Sequence, residues 1–282
     1  MRETLKQYTP ILMGKWLEFL LLLTKKRALN KAFLLFSTPL QGKMLPEQEY
    51  FLEEAEDEIV DFKNLELQTY RWAGSGETVL LVHGWESNTY RWKLLIEKLQ
   101  KENYNIIAFD APAQGQSTGK ILNIPLYADC LQKIIELYRP HHLIGHSVGG
   151  MTIIFQQYSF KNPEIQKLVI LAPPTKLATI MKGYQKTLNL SAKFMKSLDT
   201  YFKNKYGFYF KEFSMIEFAK ELTKEGLIIH DKYDKIASYE EAAQIAAHWK
   251  AATFMTTENY GHSLFYDDVD ESIINFLKAE NK

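Results

Sequence analysis

The 282 residues suffice for one α/β domain with an insertion or for two small domains, and they can bury a large hydrophobic core. Lys and Arg equal Asp and Glu in number, with 34 of each, and this net charge of zero argues against a general nucleic-acid-binding protein. The single cysteine, Cys130, cannot form an internal disulfide and implies no oxidising compartment, so we expect a cytoplasmic location.

Residues 1–50 are predicted to form an N-terminal helical extension. Residues 11–23 are strongly apolar, but Lys15 and Glu18 interrupt them, and the run is shorter than the roughly 20 apolar residues that span a bilayer. Lys25, Lys26 and Arg27 follow, and no small-residue cleavage site is evident. We interpret the run as a buried or interfacial helix. Docking on the rest of the chain, homo-oligomerisation and peripheral membrane contact stay open as its roles.

From residue 51 on, short apolar runs alternate with segments whose apolar residues recur at helical spacing. Residues 59–72 suggest an antiparallel hairpin, and strand-like runs follow at 79–82, 106–109, 142–144, 168–171, 227–229 and 253–255. Apolar strands that alternate with helices are typical of a parallel sheet that is covered on both faces. The sequence therefore predicts an α/β fold with a mostly parallel, doubly wound sheet, formed by residues 51–174 and 226–282.

The alternation stops at residues 175–225, where we predict an inserted helical lid. An insertion of this length between two strands is usually a lid or a binding element. It contains about twice as many lysines as acidic residues, and it is rich in aromatic residues: Tyr201, Phe202, Tyr206, Phe208, Tyr209, Phe210 and Phe213. The aromatic residues suggest a site for an apolar acyl or aryl group, and helical core packing explains them equally well.

The sharpest local signal is the segment Gly-His-Ser-Val-Gly-Gly at residues 145–150, which follows a predicted strand and precedes a predicted helix. A serine nucleophile must leave its strand on a tight turn, so that its hydroxyl projects freely. Gly145 and Gly149, two residues before and after Ser147, remove side chains that would collide there. The pattern predicts that Ser147 is a nucleophile, and the alternative is a glycine-rich turn with an incidental serine.

Several segments together resemble landmarks of the α/β-hydrolase family: residues 83–85, 109–117, 145–149, 230–234 and 261–262. The order serine, aspartate, histidine along the chain is also the order of this family. The resemblance covers the chain from about residue 60 to its end, and it implies a serine hydrolase of the esterase type with a helical lid. The family is catalytically diverse, so the resemblance does not specify a substrate.

His262 is the best candidate for the catalytic base among the seven histidines, because it follows a strand-like run and Gly261 near the end of the sequence. The resemblance implies that Asp234 is the acid that orients this base, because the acid of the family lies several residues past its strand. Asp231 is the alternative. Of the other six histidines, His142 begins a strand-like run. The remaining five are expected in loops (His83 and His146), at strand ends (His141 and His230) or on a surface helix (His248).

The loops after two predicted strands supply the remaining site residues. The backbone N–H of Val148, directly after the nucleophile, and by resemblance the N–H of Trp85 are expected to bind the oxyanion. Asp110 is expected to shape its loop without reacting. Gln114 stands where the family commonly has histidine, which is expected to change the edge of the substrate pocket. The sequence contains no motif for a metal or a nucleotide, so no cofactor is expected.

These residues predict a hydrolase that cleaves an ester or thioester of a small, apolar acyl compound through an acyl-serine intermediate. Other reactions of the same three residues stay open: amide cleavage, carbon–carbon bond hydrolysis, acyl transfer and perhydrolysis. A binding protein that keeps the fold without catalysis is a further alternative.

Overall fold

A computed structural model describes the backbone of residues 2–280 and the side chains of residues 9–280. The chain forms two compact units, one from residues up to Thr38 together with Lys176–Ser214, the other from Pro39–Thr175 together with residues from Met215 on. The first unit joins the N-terminal helices to most of the insertion, whereas residues 39–50 and 215–225 belong to the second unit. The functional division into an extension and a lid stays a prediction.

Among the described residues, eight strands form one sheet in the second unit. They are β1 (Glu56–Phe62), β2 (Leu65–Trp72), β3 (Thr78–Val82), β4 (Asn105–Phe109), β5 (His142–His146), β6 (Lys167–Leu171), β7 (Glu225–Asp231) and β8 (Ala252–Thr257). Their order is β1-β2-β4-β3-β5-β6-β7-β8. The β1–β2 and β2–β4 pairs are antiparallel and the other pairs are parallel. This confirms the predicted hairpin and the mostly parallel α/β sheet.

The helices are α1 (Arg2–Leu23), α2 (Lys25–Ser37), α3 (Pro46–Leu52), α4 (Lys93–Lys101), α5 (Ile124–Tyr138), α6 (Val148–Phe160), α7 (Leu177–Leu188), α8 (Ala192–Tyr206), α9 (Met215–Ala219), α10 (Tyr239–His248) and α11 (Asp267–Lys278). A short 3-10 turn, Thr89–Trp92, precedes α4. Along the described part of the chain, none of these helices is both long and apolar enough to cross a membrane.

The parallel strands explain why one edge of the sheet carries the candidate residues. Every residue of β3, β5 and β6 is buried, which requires cover on both faces of the sheet. The register pairs Val82 with Gly145, and His146 with Leu171, so the carboxyl ends of neighbouring strands lie side by side. The loops after these strands therefore meet at one edge, where α/β sheets bind their ligands.

The first unit is held together by a close helix crossing and by aromatic packing. A Cβ atom on Gly14 of α1 would lie 1.7 Å from the carbonyl oxygen of Leu188 at the end of α7, so only glycine fits there. Phe33 of α2 packs edge-on against Phe202 of α8, with ring centroids 5.6 Å apart. Tyr184 of α7 donates a hydrogen bond to a backbone carbonyl of α2. Several aromatic residues of the insertion are thus used in helix packing.

We expect Gly14→Ala to destabilise the first unit by roughly 1–3 kcal/mol, because the added methyl group overlaps a backbone oxygen and forces the two helices apart. Gly183→Ala in α7 is the matched control, since a Cβ there meets nothing within 4 Å. The control should gain up to about 1 kcal/mol from helix propensity. Thermal denaturation followed by circular dichroism measures both, and equal melting temperatures of the two variants would contradict the close crossing.

Candidate active site

Ser147 lies on a strained turn between β5 and α6. Its backbone angles, φ 53° and ψ −121°, are uncommon for a residue with a side chain. A Cβ on Gly149 would lie 2.1 Å from the carbonyl oxygen of Val82, and one on Gly145 would lie 2.8 Å from the backbone of Gly149. The predicted steric reason for both glycines is therefore present, and the turn holds the serine at the N-terminus of α6.

Three residues that are far apart in sequence form a chain of hydrogen bonds. Ser147 Oγ lies 3.0 Å from His262 Nε2, and His262 Nδ1 lies 2.7 Å from Asp234 Oδ2. A carboxylate can only accept, so Nδ1 carries the ring proton and Nε2 is left to accept from the serine hydroxyl. The structure thus brings together the serine, histidine and aspartate that the sequence singles out.

The Asp234 carboxylate is held in its ionised form. Its Oδ1 accepts hydrogen bonds from the backbone N–H groups of Ile236 and Ala237, at 2.7 and 3.1 Å. Burial alone would raise the pKa of this carboxyl. Hydrogen bonds from His230, His262 and the two N–H groups outweigh burial and hold the pKa well below its usual range. The group facing His262 is therefore negatively charged throughout the neutral pH range.

Asp231, the alternative acid, has a different set of partners. Its Oδ2 accepts from Thr257 Oγ1 at 3.0 Å and from the N–H of Tyr260 at 2.7 Å, and its Oδ1 accepts from the N–H of Tyr233 at 2.9 Å. None of these partners is the imidazole of His262. Asp231 instead anchors the loop that follows β8 and leads to His262.

His230 contacts Asp234. From the sequence, His230 is expected only as a residue at a strand end. The side chain is fully buried, and Nε2 lies 3.3 Å from Asp234 Oδ2 and 3.1 Å from the carbonyl oxygen of Ala237. A proton on Nε2 can be shared between these two acceptors. No local pattern in the sequence indicates this contact, because His230 lies in strand β7 and Asp234 in the turn that follows it.

His146 connects the serine turn to the loop of the base. Its Nε2 donates to the carbonyl oxygen of His262 at 2.8 Å, as expected for a histidine in a loop hydrogen bond. Burial, together with the positive charge of Arg91, lowers the pKa of His146 well below its usual value. The ring is therefore neutral, and it positions the backbone of His262 relative to Ser147.

The two segments that carry the expected oxyanion donors, Val148 and Trp85, lie next to Ser147. Val148 is the first residue of α6, and its N–H has no intrahelical acceptor. On the opposite side, a Cβ on Gly84 would lie 3.1 Å from the Cβ of Ser147, so the loop after β3 closely approaches the serine. Trp85 is the next residue of that loop.

Gln114 supports the loop that carries Trp85. Its Oε1 accepts from the N–H of Ser87 at 3.2 Å, and its Nε2 donates to the carbonyl oxygen of Gly84 at 3.4 Å. The side chain is fully buried, and it spans the residues on both sides of Trp85. The residue that departs from the family pattern thus acts on the conformation of this loop.

Asp110 shapes the neighbouring loop, as the sequence analysis expects. Its carboxylate is completely buried and accepts from Thr89, through both the backbone N–H and the hydroxyl, from Tyr70 Oη and from the N–H of Gln116. Its hydrogen bonds are thus directed into the protein. Within the described residues, no cluster of three or more His, Cys, Asp or Glu side chains could hold a metal ion.

We expect Asp231→Asn to reduce the free energy of unfolding at pH 7 by about 3 kcal/mol, because backbone donors would lose a charged acceptor. Burial by itself would raise the pKa of the Asp231 carboxyl. Hydrogen bonds from Tyr260, Tyr233 and Thr257 outweigh this effect, so the pKa is lower than its usual value. A lowered pKa in the folded state stabilises the protein above the unfolded pKa of about 3.9, and this contribution is lost as the pH falls further.

The difference in the free energy of unfolding between wild type and Asp231→Asn should therefore reach its maximum above about pH 5 and decrease below about pH 4. Urea denaturation at several pH values measures it. Asp129→Asn is the control, because Asp129 forms an exposed ion pair with Lys63 and should change stability by less than about 1 kcal/mol. A difference that is equally large at pH 7 and pH 3 would contradict the charged anchor.

Comparisons with known proteins find similar hydrolases. Residues 75–211 match the family model of the serine aminopeptidase S33 hydrolases. The phospholipase YtpA of Bacillus subtilis is 30% identical over 102 residues, which are 34% of this chain and 39% of YtpA, so the likeness covers less than half of that protein. The α/β-hydrolase superfamily protein YisY of the same species is 23% identical over 250 residues, covering 73% of this chain and 92% of YisY.

A solved structure extends the likeness to most of the fold. The esterase Pf2001 of Pyrococcus furiosus superimposes with a TM-score of 0.62 at 22% identity, covering 86% of this chain and 96% of that one. At this identity the likeness concerns the fold. Sheet order, the strained serine turn and these similarities together show that the chain has the α/β-hydrolase fold and that residues 75–211 resemble the serine hydrolases of this fold.

Proposed function

We propose that this protein is a serine hydrolase that cleaves a carboxylic ester or thioester through an acyl-serine intermediate. The proposal rests on the unbroken chain of hydrogen bonds from Ser147 Oγ through the imidazole of His262 to the carboxylate of Asp234. The names of the relatives support it, since YtpA is called a phospholipase and Pf2001 an esterase.

In the first step, Ser147 Oγ attacks the carbonyl carbon of the substrate while His262 Nε2 removes the hydroxyl proton. A serine hydroxyl is a weak nucleophile by itself and needs this base. Asp234 keeps the other ring proton on Nδ1 and stabilises the imidazolium that forms. His146 and His230 act as positioning residues in this scheme, since each contacts the base or its acid.

The negative charge that develops on the substrate oxygen would be stabilised by the N–H groups of Val148 and Trp85. Each donor of this kind typically contributes about 3 kcal/mol to the transition state. The N-terminus of α6, which begins at Val148, adds the positive end of the helix dipole. Gln114 keeps the loop around Trp85 in place, so that its N–H is already oriented before the reaction.

The tetrahedral intermediate then collapses, and the bond from the carbonyl carbon to the leaving oxygen or sulfur breaks. The imidazolium of His262 gives its proton to the leaving alcohol or thiol. Water attacks the acyl group on Ser147 with the same histidine as base, which releases the carboxylic acid and restores the serine hydroxyl. These steps balance with water as the second substrate. We propose a small acyl compound with an apolar acyl group as the first.

Purified protein should hydrolyse p-nitrophenyl esters, assayed from acetate to laurate, and Ser147→Ala should lower kcat by a factor on the order of 10³ or more. Ser159→Ala is the matched control, since this exposed serine lies on the same helix α6. A fluorophosphonate should label the wild type and the control, and should not label Ser147→Ala.

Three outcomes of this assay separate the alternatives. Esterase activity that survives in Ser147→Ala, or folded protein that neither turns over esters nor reacts with the fluorophosphonate, would overturn the proposal. Labelled protein that cleaves p-nitroanilides and leaves esters intact would replace it with amide hydrolysis.

The choice between the two aspartates is tested by comparing Asp234→Asn with Asp231→Asn. Asp234→Asn should reduce kcat on the order of 10³- to 10⁴-fold with little change in KM, because an amide no longer holds the tautomer of His262 or its positive charge. Asp231→Asn, assayed at a temperature where it is folded, should lose less than about tenfold, since its partners belong to the adjacent loop. The reverse order of losses would make Asp231 the functional acid.

A further inference from the structure

The charge of the chain is divided unequally between its two units. The first unit, with residues 1–38 and 176–214, contains 15 Lys and Arg and 4 Asp and Glu. The second unit contains the other 19 Lys and Arg and the other 30 Asp and Glu. The net charge of zero therefore conceals a strongly basic helical unit and an acidic sheet-containing unit.

Helix α1 of the basic unit has an exposed apolar face. Leu12, Trp16, Phe19, Leu22 and Leu23 are 45–78% exposed. With a helical rotation of about 100° per residue, the side chains of all of these residues except Leu22 point in directions within about 60° of one another. Side chains of this size normally face the core, and a cluster of them on one side of a surface helix marks an interaction site.

The opposite side of the same helix is the packed one. Gly14 lies against the backbone of Leu188 in α7, and Leu17 is completely buried. Folding of the unit thus accounts for the inward face of α1 and leaves the outward apolar face without a partner in the described part of the chain.

Three cations directly follow this face. Lys25, Lys26 and Arg27 form the first turn of α2, and all three are exposed. The N-terminus of a helix is its positive end, so cations there destabilise the helix, and the first turn of α2 contains no acidic residue. In the described chain none of the three forms an ion pair, and the stability of α2 therefore does not explain them. Lys15 adds a fourth exposed cation next to Trp16.

We propose that this basic apolar face, formed by Leu12, Lys15, Trp16, Phe19, Leu22, Leu23 and Lys25–Arg27, binds the surface of a bilayer that contains anionic lipid. The apolar side chains would enter the boundary between headgroups and acyl chains, with the indole of Trp16 at that boundary. The cations would pair with anionic headgroups.

A second copy of the chain is a poorer occupant for this face. A two-fold contact would pair this face with itself, and the face as defined contains four cations and no acidic side chain, so the second protomer would offer the cations no counter-charge. A bilayer surface offers apolar contact and negative charge together. The proposed contact lies wholly within the basic unit and is independent of the reaction proposed for Ser147.

Sedimentation of the full-length protein with unilamellar vesicles tests the proposal. The vesicles contain either phosphatidylcholine alone or phosphatidylcholine with about one third phosphatidylglycerol. Binding should be strong to the anionic vesicles at low salt, weak at high salt, and slight to the zwitterionic vesicles.

Combined replacement of Lys25, Lys26 and Arg27 by Gln should weaken binding to the anionic vesicles about 100-fold. The matched control replaces three exposed lysines of the acidic unit by Gln, at Lys101, Lys120 and Lys250, and should leave binding unchanged. Equal effects of the two triple variants would mean that net charge alone drives binding, and would overturn the proposed face.

The apolar half of the face is tested by Phe19→Ser combined with Leu23→Ser, which should abolish binding even at low salt. Ile59→Ser combined with Leu137→Ser removes comparably exposed apolar side chains of the acidic unit and should have no effect. Circular dichroism checks that the variants are folded.

Lipids with brominated acyl chains should quench the fluorescence of Trp16, and Trp16→Phe should remove this quenching. Three further outcomes would overturn the proposal: no sedimentation with anionic vesicles, binding to a DNA duplex in their place, or a dimer in sedimentation velocity that the double serine variant dissociates.

Discussion

The close approach of backbone segments around Ser147 is the constraint on which the site depends. β3 and β5 are adjacent and parallel, and the start of α6 lies directly against the end of β3. Only glycine at positions 145 and 149 leaves room for this packing. The serine is thereby held at a positive φ, with its hydroxyl within hydrogen-bond distance of His262 and the N-terminus of α6 behind it.

Buried polar contacts join the loops at the carboxyl-terminal edge of the sheet, around Ser147. His146 binds the backbone of His262, and Asp231 holds the loop that precedes it. Gln114 binds the loop after β3 on both sides of Trp85. Each contact joins segments that are distant in sequence. Since buried polar groups are costly without partners, such contacts favour one arrangement of the loops over others.

The first, helical unit is stabilised by helix packing, and its surface differs from that of the second unit. Its interior is built from a glycine contact and aromatic packing, and its surface combines a large excess of lysine with exposed apolar side chains. The zero net charge of the whole chain argues against a polyanion-binding protein, yet this average hides the charge of one unit. Where cations and apolar groups lie side by side, a lipid surface satisfies both, whereas a nucleic acid satisfies only the cations.

The strands, the serine turn and the order of serine, aspartate and histidine could be predicted from the amino-acid sequence, because hydrophobic periodicity and glycine requirements are local. The choice between Asp231 and Asp234 as the partner of His262 needed the three-dimensional structure. Asp231 ends β7 and Asp234 lies three residues later, and the sequence does not show where either carboxylate points. The tertiary structure also decided that the N-terminal helices pack with the inserted ones, and that His230 contacts the acid. These features depend on contacts between side chains in three dimensions, which neither periodicity nor composition contains.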